Sequence, residues 1–153
     1  MMLKRIAGTI AMAFFLVPTA ASGSDIGFRG LGPRFGATME PDQLRVGLTT
    51  DFGHFADHVR FQPNVELGLG DHPTLLAFNF DTAYRFRSRW DVWSPYLGGG
   101  VNLQFVEGSS METGLSALGG IEKGLSGGGR FFLESRIGIV DTPDLGFMAG
   151  FTF

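Results

Sequence analysis

The stretch Asp144-Leu145-Gly146-Phe147-Met148-Ala149-Gly150-Phe151-Thr152-Phe153 decides the fold. Side chains alternate faces along an extended strand. Leu145, Phe147, Ala149, Phe151 and Phe153 therefore share one face. Gly146, Met148, Gly150 and Thr152 share the other. One side is apolar and aromatic, and the other is small or polar. A strand ending on Phe153 would be an exposed, aggregation-prone edge in water. A closed barrel in a membrane pairs that edge and turns the apolar face to lipid.

The same two-faced pattern recurs upstream. Eight segments alternate, over residues 26–37, 43–52, 58–70, 74–86, 92–106, 113–123, 130–140 and 145–153. Most meet the roughly 9–11 residues that a tilted strand needs to cross a bilayer. The breaks are expected at Glu40-Pro41-Asp42, 53–57, 70–73, 87–91, 107–110, 124–129 and 141–144, each rich in Gly, Pro, Asp or Ser. The composition agrees, with 24 Gly, which weaken helices, and 16 Phe, which favour strands. There is no linker or second domain, and the repeating unit is the hairpin.

The apolar faces carry Leu31, Phe35 and Ala37; Leu44, Val46, Leu48 and Phe52; Val59, Phe61, Val65, Leu67 and Leu69; Leu76, Phe78, Phe80, Tyr84 and Phe86; Trp93, Leu97, Val101, Leu103 and Phe105; Leu115, Ala117 and Ile121; and Phe131, Leu133, Ile137 and Ile139. The opposite faces collect five cations, Arg34, Arg45, Arg60, Arg85 and Arg136. They also collect five acids, Asp51, Glu66, Asp81, Glu122 and Glu134. A cation facing lipid at the midplane costs roughly 2–4 kcal/mol. Ten charges so placed would overwhelm a net stability of about 5–15 kcal/mol. Turned inward, they can neutralise one another and fill the interior of a barrel of about eight strands. Such buried pairs must offset their own desolvation, so the network is expected to specify register more than to add stability. Inward glycines would make room for the long Arg and Glu side chains.

Residues 1–21 read as a cleaved secretory signal. Lys4 and Arg5 precede an apolar run over 6–17 that is too short to span a bilayer, and Thr19-Ala20-Ala21 offers small residues for cleavage. A transmembrane anchor is the competing reading, but no stop-transfer flank follows. Residues 22–153 then form one domain. Losing two cations with the signal takes the formal net charge from −3 to −5. With no basic patch, nucleic acid is not an expected partner. Cys is absent, which excludes disulfides and thiolate metal sites.

On this pattern the chain resembles the small eight-stranded outer-membrane barrels, the OmpA/OmpX-type and opacity-type porin families. The resemblance spans residues 22–153. It is carried most specifically by Leu145-x-Phe147-x-x-x-Phe151-x-Phe153 and by Trp93-Ser94-Pro95-Tyr96-Leu97-Gly98-Gly99-Gly100. It implies an all-β, eight-stranded antiparallel up-and-down transmembrane β-barrel in the outer membrane of a Gram-negative cell envelope. By analogy both termini lie in the periplasm, and Leu145, Phe147, Phe151 and Phe153 form the signal read by the barrel-assembly machinery. Trp90, Trp93, Tyr84, Phe86, Phe131, Phe151 and Phe153 then cluster as an aromatic girdle at the periplasmic interface. The implied role is structural or weakly porin-like, with outer-membrane lipid as the main partner, a monomeric state and no cofactor. One departure stands out: the outer connections at Glu40, Asp71, Glu107 and Asp141 are short, which argues against adhesion.

Other chemistry fits less well. His54 and His58 are four apart, but they flank a turn without a third ligand, so no metal site is expected. His72, Ser109, Ser110, Asp141 and Asp144 could meet as a hydrolytic group at the outer leaflet, yet no motif orders them and catalysis is not expected. Gly98-Gly99-Gly100 and Gly127-Gly128-Gly129 lack the Lys-Ser/Thr helix start of a phosphate loop. The remaining rival is a soluble lipocalin-like barrel in the periplasm, its Phe face turned inward around an apolar ligand.

Overall fold

A computed structural model describes residues 25–70, 73–87, 92–143 and 145–153. The expected signal 1–21, with Lys4 and Arg5, lies outside them. So do Asp71, His72, Trp90 and Asp144.

Eight strands follow one another: β1 (Asp25–Met39), β2 (Gln43–Ala56), β3 (Val59–Gly70), β4 (Leu75–Arg85), β5 (Ser94–Val106), β6 (Glu112–Gly124), β7 (Arg130–Val140) and β8 (Leu145–Thr152). Each pairs antiparallel with the next, and β8 returns to β1, so the sheet closes as an up-and-down barrel. Closure runs from Met39 opposite Leu145 to Arg34 opposite Gly150. It is finished by reciprocal backbone hydrogen bonds between Leu31 and Phe153, at 3.3 and 3.2 Å. No strand edge is left along the β1–β8 seam, which is what a chain in lipid requires.

The barrel has two ends. The terminal end holds Asp25, Phe153 and the β2–β3, β4–β5 and β6–β7 connections. The distal end holds the β1–β2, β3–β4, β5–β6 and β7–β8 connections.

Side-chain orientation follows the alternation in every strand. Leu44, Val46, Phe78, Phe80, Leu97, Leu133, Ile137 and Phe147 are exposed on the outside, while Arg34, Arg45, Arg60, Glu66, Asp81, Glu122 and Glu134 are buried in the lumen. The interior is thus polar and the exterior apolar, the reverse of a water-soluble barrel. This orientation contradicts the lipocalin-like alternative, whose Phe face would have pointed inward. Aromatic rings crowd the outside of the terminal end. Phe28–Phe52, Phe55–Phe61, Tyr84–Phe86, Trp93–Phe131 and Phe151–Phe153 pair there with centroids 5.0–6.1 Å apart.

One expected turn is a strand. Residues 53–56 continue β2 instead of ending it, and only Asp57-His58 turns the chain into β3. Gly53 has φ 79°, and its N–H donates to Asp51 Oδ1 at 2.9 Å. The β1–β2 register shifts beside it, between Ile26 and Gly30. The glycine therefore accommodates a bulge within the β1–β2 ribbon, one of the two uses a Gly in a strand pattern can have.

Candidate functional site

The lumen is filled by two groups of charges. The central group joins β1, β2, β3, β4 and β7. Arg34 reaches Glu66 with Nε at 2.9 Å and Glu134 with Nη2 at 3.0 Å. Arg136 reaches Asp81 at 2.5 Å and Glu134 at 3.3 Å. Arg45 lies 3.7 Å from Glu66. Three arginines thus face three carboxylates. Neutral donors complete the carboxylates: Tyr96 Oη donates to Glu134 at 3.0 Å, Gln62 Nε2 to Glu134 at 3.4 Å, and Asn64 Nδ2 to Asp81 at 2.7 Å. A ladder of amides then crosses three strands. Asn102 donates to Asn79 at 2.6 Å, and Asn79 donates to Asn64 at 2.7 Å. Linked polar groups of this kind rigidify an interior when their members find partners.

The second group sits toward the terminal end around Glu122. Its carboxylate meets Arg60 at 2.6 Å, Arg85 at 2.9 Å and Arg130 at 3.1 Å. Asp51 stands farther off, 3.9 Å from Arg60 and 3.7 Å from Arg130. All ten charges expected inside the barrel are therefore in ion pairs there, although the Arg85 side chain is 45% exposed at the terminal mouth. The sequence reading missed Arg130. It is buried, and it makes the lumen six cations against five acids. Its signal was available, because it shares parity with Phe132, Glu134 and Arg136 along β7. Its position at the first residue after a Gly-rich turn hid it.

Phe132 separates and joins the two groups. Arg34 lies over its ring at 5.7 Å and Arg130 at 5.1 Å, within the range of a cation–π contact. Arg130 Nη2 also donates to Gln62 Oε1 at 3.1 Å, and Gln62 bonds Glu134 in turn. The large ring fits because its neighbour is glycine. A Cβ on Gly150 would lie 2.6 Å from Phe132 Cζ, and one on Gly120 would lie 2.7 Å from Tyr96 Cζ.

Open space remains at both ends. A cavity of about 320 Å³ at the terminal mouth is lined by Arg29, Asp51, His54, Gly129, Thr152 and Phe153, among others. A cavity of about 30 Å³ toward the distal end is bounded by Arg45, Glu66, Asn102, Gln104 and Arg136 among its lining residues. Between them stand Arg34, Gln62, Tyr96, Phe132 and Glu134, all buried.

The other candidate residues lie outside the two charge groups, with His54 on the wall of the terminal-mouth cavity. His58 turns the chain with φ 64°, and its Nε2 accepts from Arg87 Nε at 3.3 Å. Among the described residues no three His, Cys, Asp or Glu side chains are grouped to hold a metal ion. Ser109 and Ser110 lie in the β5–β6 connection and Asp141 begins the β7–β8 connection; His72 and Asp144, the other members of the hydrolytic reading, are outside the described residues.

The fold is shared with solved β-barrels. Neisserial surface protein A superposes with a TM-score of 0.62 at 14% identity, over 80% of this chain and 93% of that one. The N-terminal β-barrel domain of Pseudomonas aeruginosa OprF gives 0.56 at 14% identity, over 83% and 99%. A de novo designed barrel, TMB2.3, gives 0.50 at 14% identity, over 83% and 94%. No protein-family model and no curated protein sequence matches the chain. The likeness is one of fold.

Proposed function

We propose that the protein is a small resident barrel of the bacterial outer membrane, exported by a signal cleaved after residue 21, with a structural role and a lumen closed by its own charges. The observation that carries this reading is the inverted interior. Leu44, Phe78, Leu97 and Ile137 face outward, while Arg34 and Glu134 are sealed inside. A water-soluble protein gains nothing by exposing a continuous apolar band, whereas hydrocarbon demands one. The interior offers ion pairs rather than a reacting group: every acid of the network faces at least one arginine within 4 Å. The protein is accordingly read as a non-enzymatic monomer without cofactor. Its partners are outer-membrane lipid and, during biogenesis, the barrel-assembly machinery.

Cell fractionation tests this directly. The mature protein is expected in the outer membrane, released only by detergent, and to shift its gel mobility on boiling as a closed barrel unfolds. Recovery as a soluble periplasmic monomer would overturn it.

A further inference from the structure

The two rims of the barrel differ in charge. At the distal rim Glu40, Asp42, Glu107, Glu112 and Asp141 are exposed, and no Lys or Arg occurs among the described residues of the distal connections. At the terminal rim Arg87 and Lys123 are exposed together with the acid Asp57, while the exposed Asp25 and Arg29 pair with each other, so this rim is basic on balance. Arg87 and Lys123 both stand within the aromatic band. Lys123 is opposite Phe131 in the β6–β7 register, and its neighbour Glu122 is opposite Ser94, which follows Trp93. Lys123 therefore lies on the outward face of β6, flanked by Trp93 and Phe131, whose rings approach to 6.1 Å. Two strands away, beyond β5, Arg87 holds His58, which packs on Tyr84 at 5.9 Å, and Tyr84 packs on Phe86 at 5.0 Å.

We propose that the terminal rim is a docking surface for anionic phospholipid headgroups, with Lys123 beside Trp93 and Arg87 beside Tyr84 as its two stations. The proposal rests on the membrane placement proposed above and names which lipid that placement favours. An aromatic ring at the interface keeps its body in the acyl region and its polar edge at the headgroup level. A long basic side chain beside it extends along the apolar surface and delivers its charge to the same depth. A phosphodiester headgroup with no compensating cation is the complement of that arrangement, and a zwitterionic one is a weaker match. The acidic distal rim repels the same lipid, so the preference belongs to one end. A basic residue near an anionic membrane surface contributes about 1 kcal/mol, or about fivefold in local enrichment.

The chain supplies its own reporter. Its two tryptophans, Trp90 and Trp93, both fall in sequence between β4 and β5. The full mature chain is reconstituted into vesicles of mixed phosphatidylglycerol and phosphatidylcholine. In parallel samples one lipid or the other is brominated near the glycerol, and quenching of tryptophan fluorescence is compared. Quenching by brominated phosphatidylglycerol is expected to exceed that by brominated phosphatidylcholine at equal mole fraction. Lys123→Glu should lower the excess several-fold, Lys123→Arg should retain it, and Glu107→Lys at the far rim should leave it unchanged. The boiling-dependent gel shift confirms that each variant is a closed barrel. Equal quenching by the two lipids in the wild type, or an excess that survives Lys123→Glu, would overturn the proposal while leaving the membrane placement intact. Absence of quenching by either lipid would overturn both.

Discussion

Arg34 and Glu134, a hundred residues apart in the chain, meet at 3.0 Å with both side chains fully buried. They stand on β1 and β7, which are not hydrogen-bonded neighbours, since β8 lies between them. The contact therefore ties the barrel across its lumen and not merely along one ladder.

Breaking that pair should cost far more than the pair contributes. Glu134→Ala removes the shared partner of Arg34, Arg136, Tyr96 and Gln62. It leaves two buried guanidinium groups under-compensated, and a loss of about 3–5 kcal/mol is expected. Replacing Arg34 and Glu134 together by Met and Leu should cost less than either single truncation to Ala, because no charge is stranded. Arg85→Ala at the mouth should cost about 0–1 kcal/mol, since its side chain is half in solvent. Denaturant unfolding of the refolded barrel, followed by tryptophan fluorescence and by the gel shift, measures all four. A mild Glu134→Ala would show that the network is not a structural tie.

Which charges face inward was legible from parity alone, because a strand has only two faces and lipid rejects one set. Which charge meets which was not. Arg34 with Glu134 and Arg60 with Glu122 join strands that are not adjacent in the sheet, and such partners depend on barrel shear, which alternation does not encode. The neutral ladder through Asn64, Asn79 and Asn102 joins adjacent strands at directly paired positions, and it was hidden because alternation gives the face of a residue but not the hairpin register that aligns it with its neighbour. Gly53 misled because glycine serves turns and bulges equally well, and only the partner strand distinguishes them. The aromatic band was readable where the rings share parity, as for Phe131 beside Trp93.

The wild-type lumen should conduct little. Arg34, Gln62, Tyr96, Phe132 and Glu134 occupy its middle, and the cavities of about 320 and 30 Å³ lie on either side. Planar-bilayer recordings should show no large steady conductance. Glu122→Ala strips Arg60, Arg85 and Arg130 of their common acceptor and should raise both the frequency of openings and the preference for anions. A large, stable conductance in the wild type would refute a closed lumen.

Packing inside the lumen should be sensitive to single methyl groups at glycine. Gly150→Ala puts a Cβ 2.6 Å from Phe132 Cζ and 2.7 Å from the Pro33 carbonyl oxygen, so the ring must move off Arg34 and Arg130 and the β1–β8 backbone must give as well. Overpacking of this kind costs about 1–3 kcal/mol. Gly119→Ala is the control. It points outward, where its new Cβ would approach the flexible end of Leu97 at 3.4 Å, and it should be near neutral. Unfolding midpoints of the two variants in the same detergent give the comparison, and equal midpoints would contradict the tight fit around Phe132.

The last strand should serve closure and assembly separably. Leu145, Phe147, Phe151 and Phe153 share the outward face, and β8 seals the barrel against β1 from Leu145 to Phe153. An unsealed edge in lipid would leave backbone groups unsatisfied at several kcal/mol each. Deleting Phe153 removes the final pair with Leu31 and the ring that packs on Phe151 at 5.8 Å, but leaves the pairs from Met39–Leu145 to Arg34–Gly150. Refolding into detergent should therefore be nearly normal. Yield in the outer membrane should fall if the aromatic terminus is what the assembly machinery reads. Phe151→Asp places a carboxylate on the apolar outer face beside Phe131, its partner across β7–β8, and should impair both refolding and yield. Comparing outer-membrane yield in cells with the folded fraction in vitro separates the two roles. If both variants reach the membrane at wild-type levels, β8 closes the barrel without directing its assembly; if the deletion alone abolishes refolding in vitro, closure depends on Phe153 itself rather than on the ladder that precedes it.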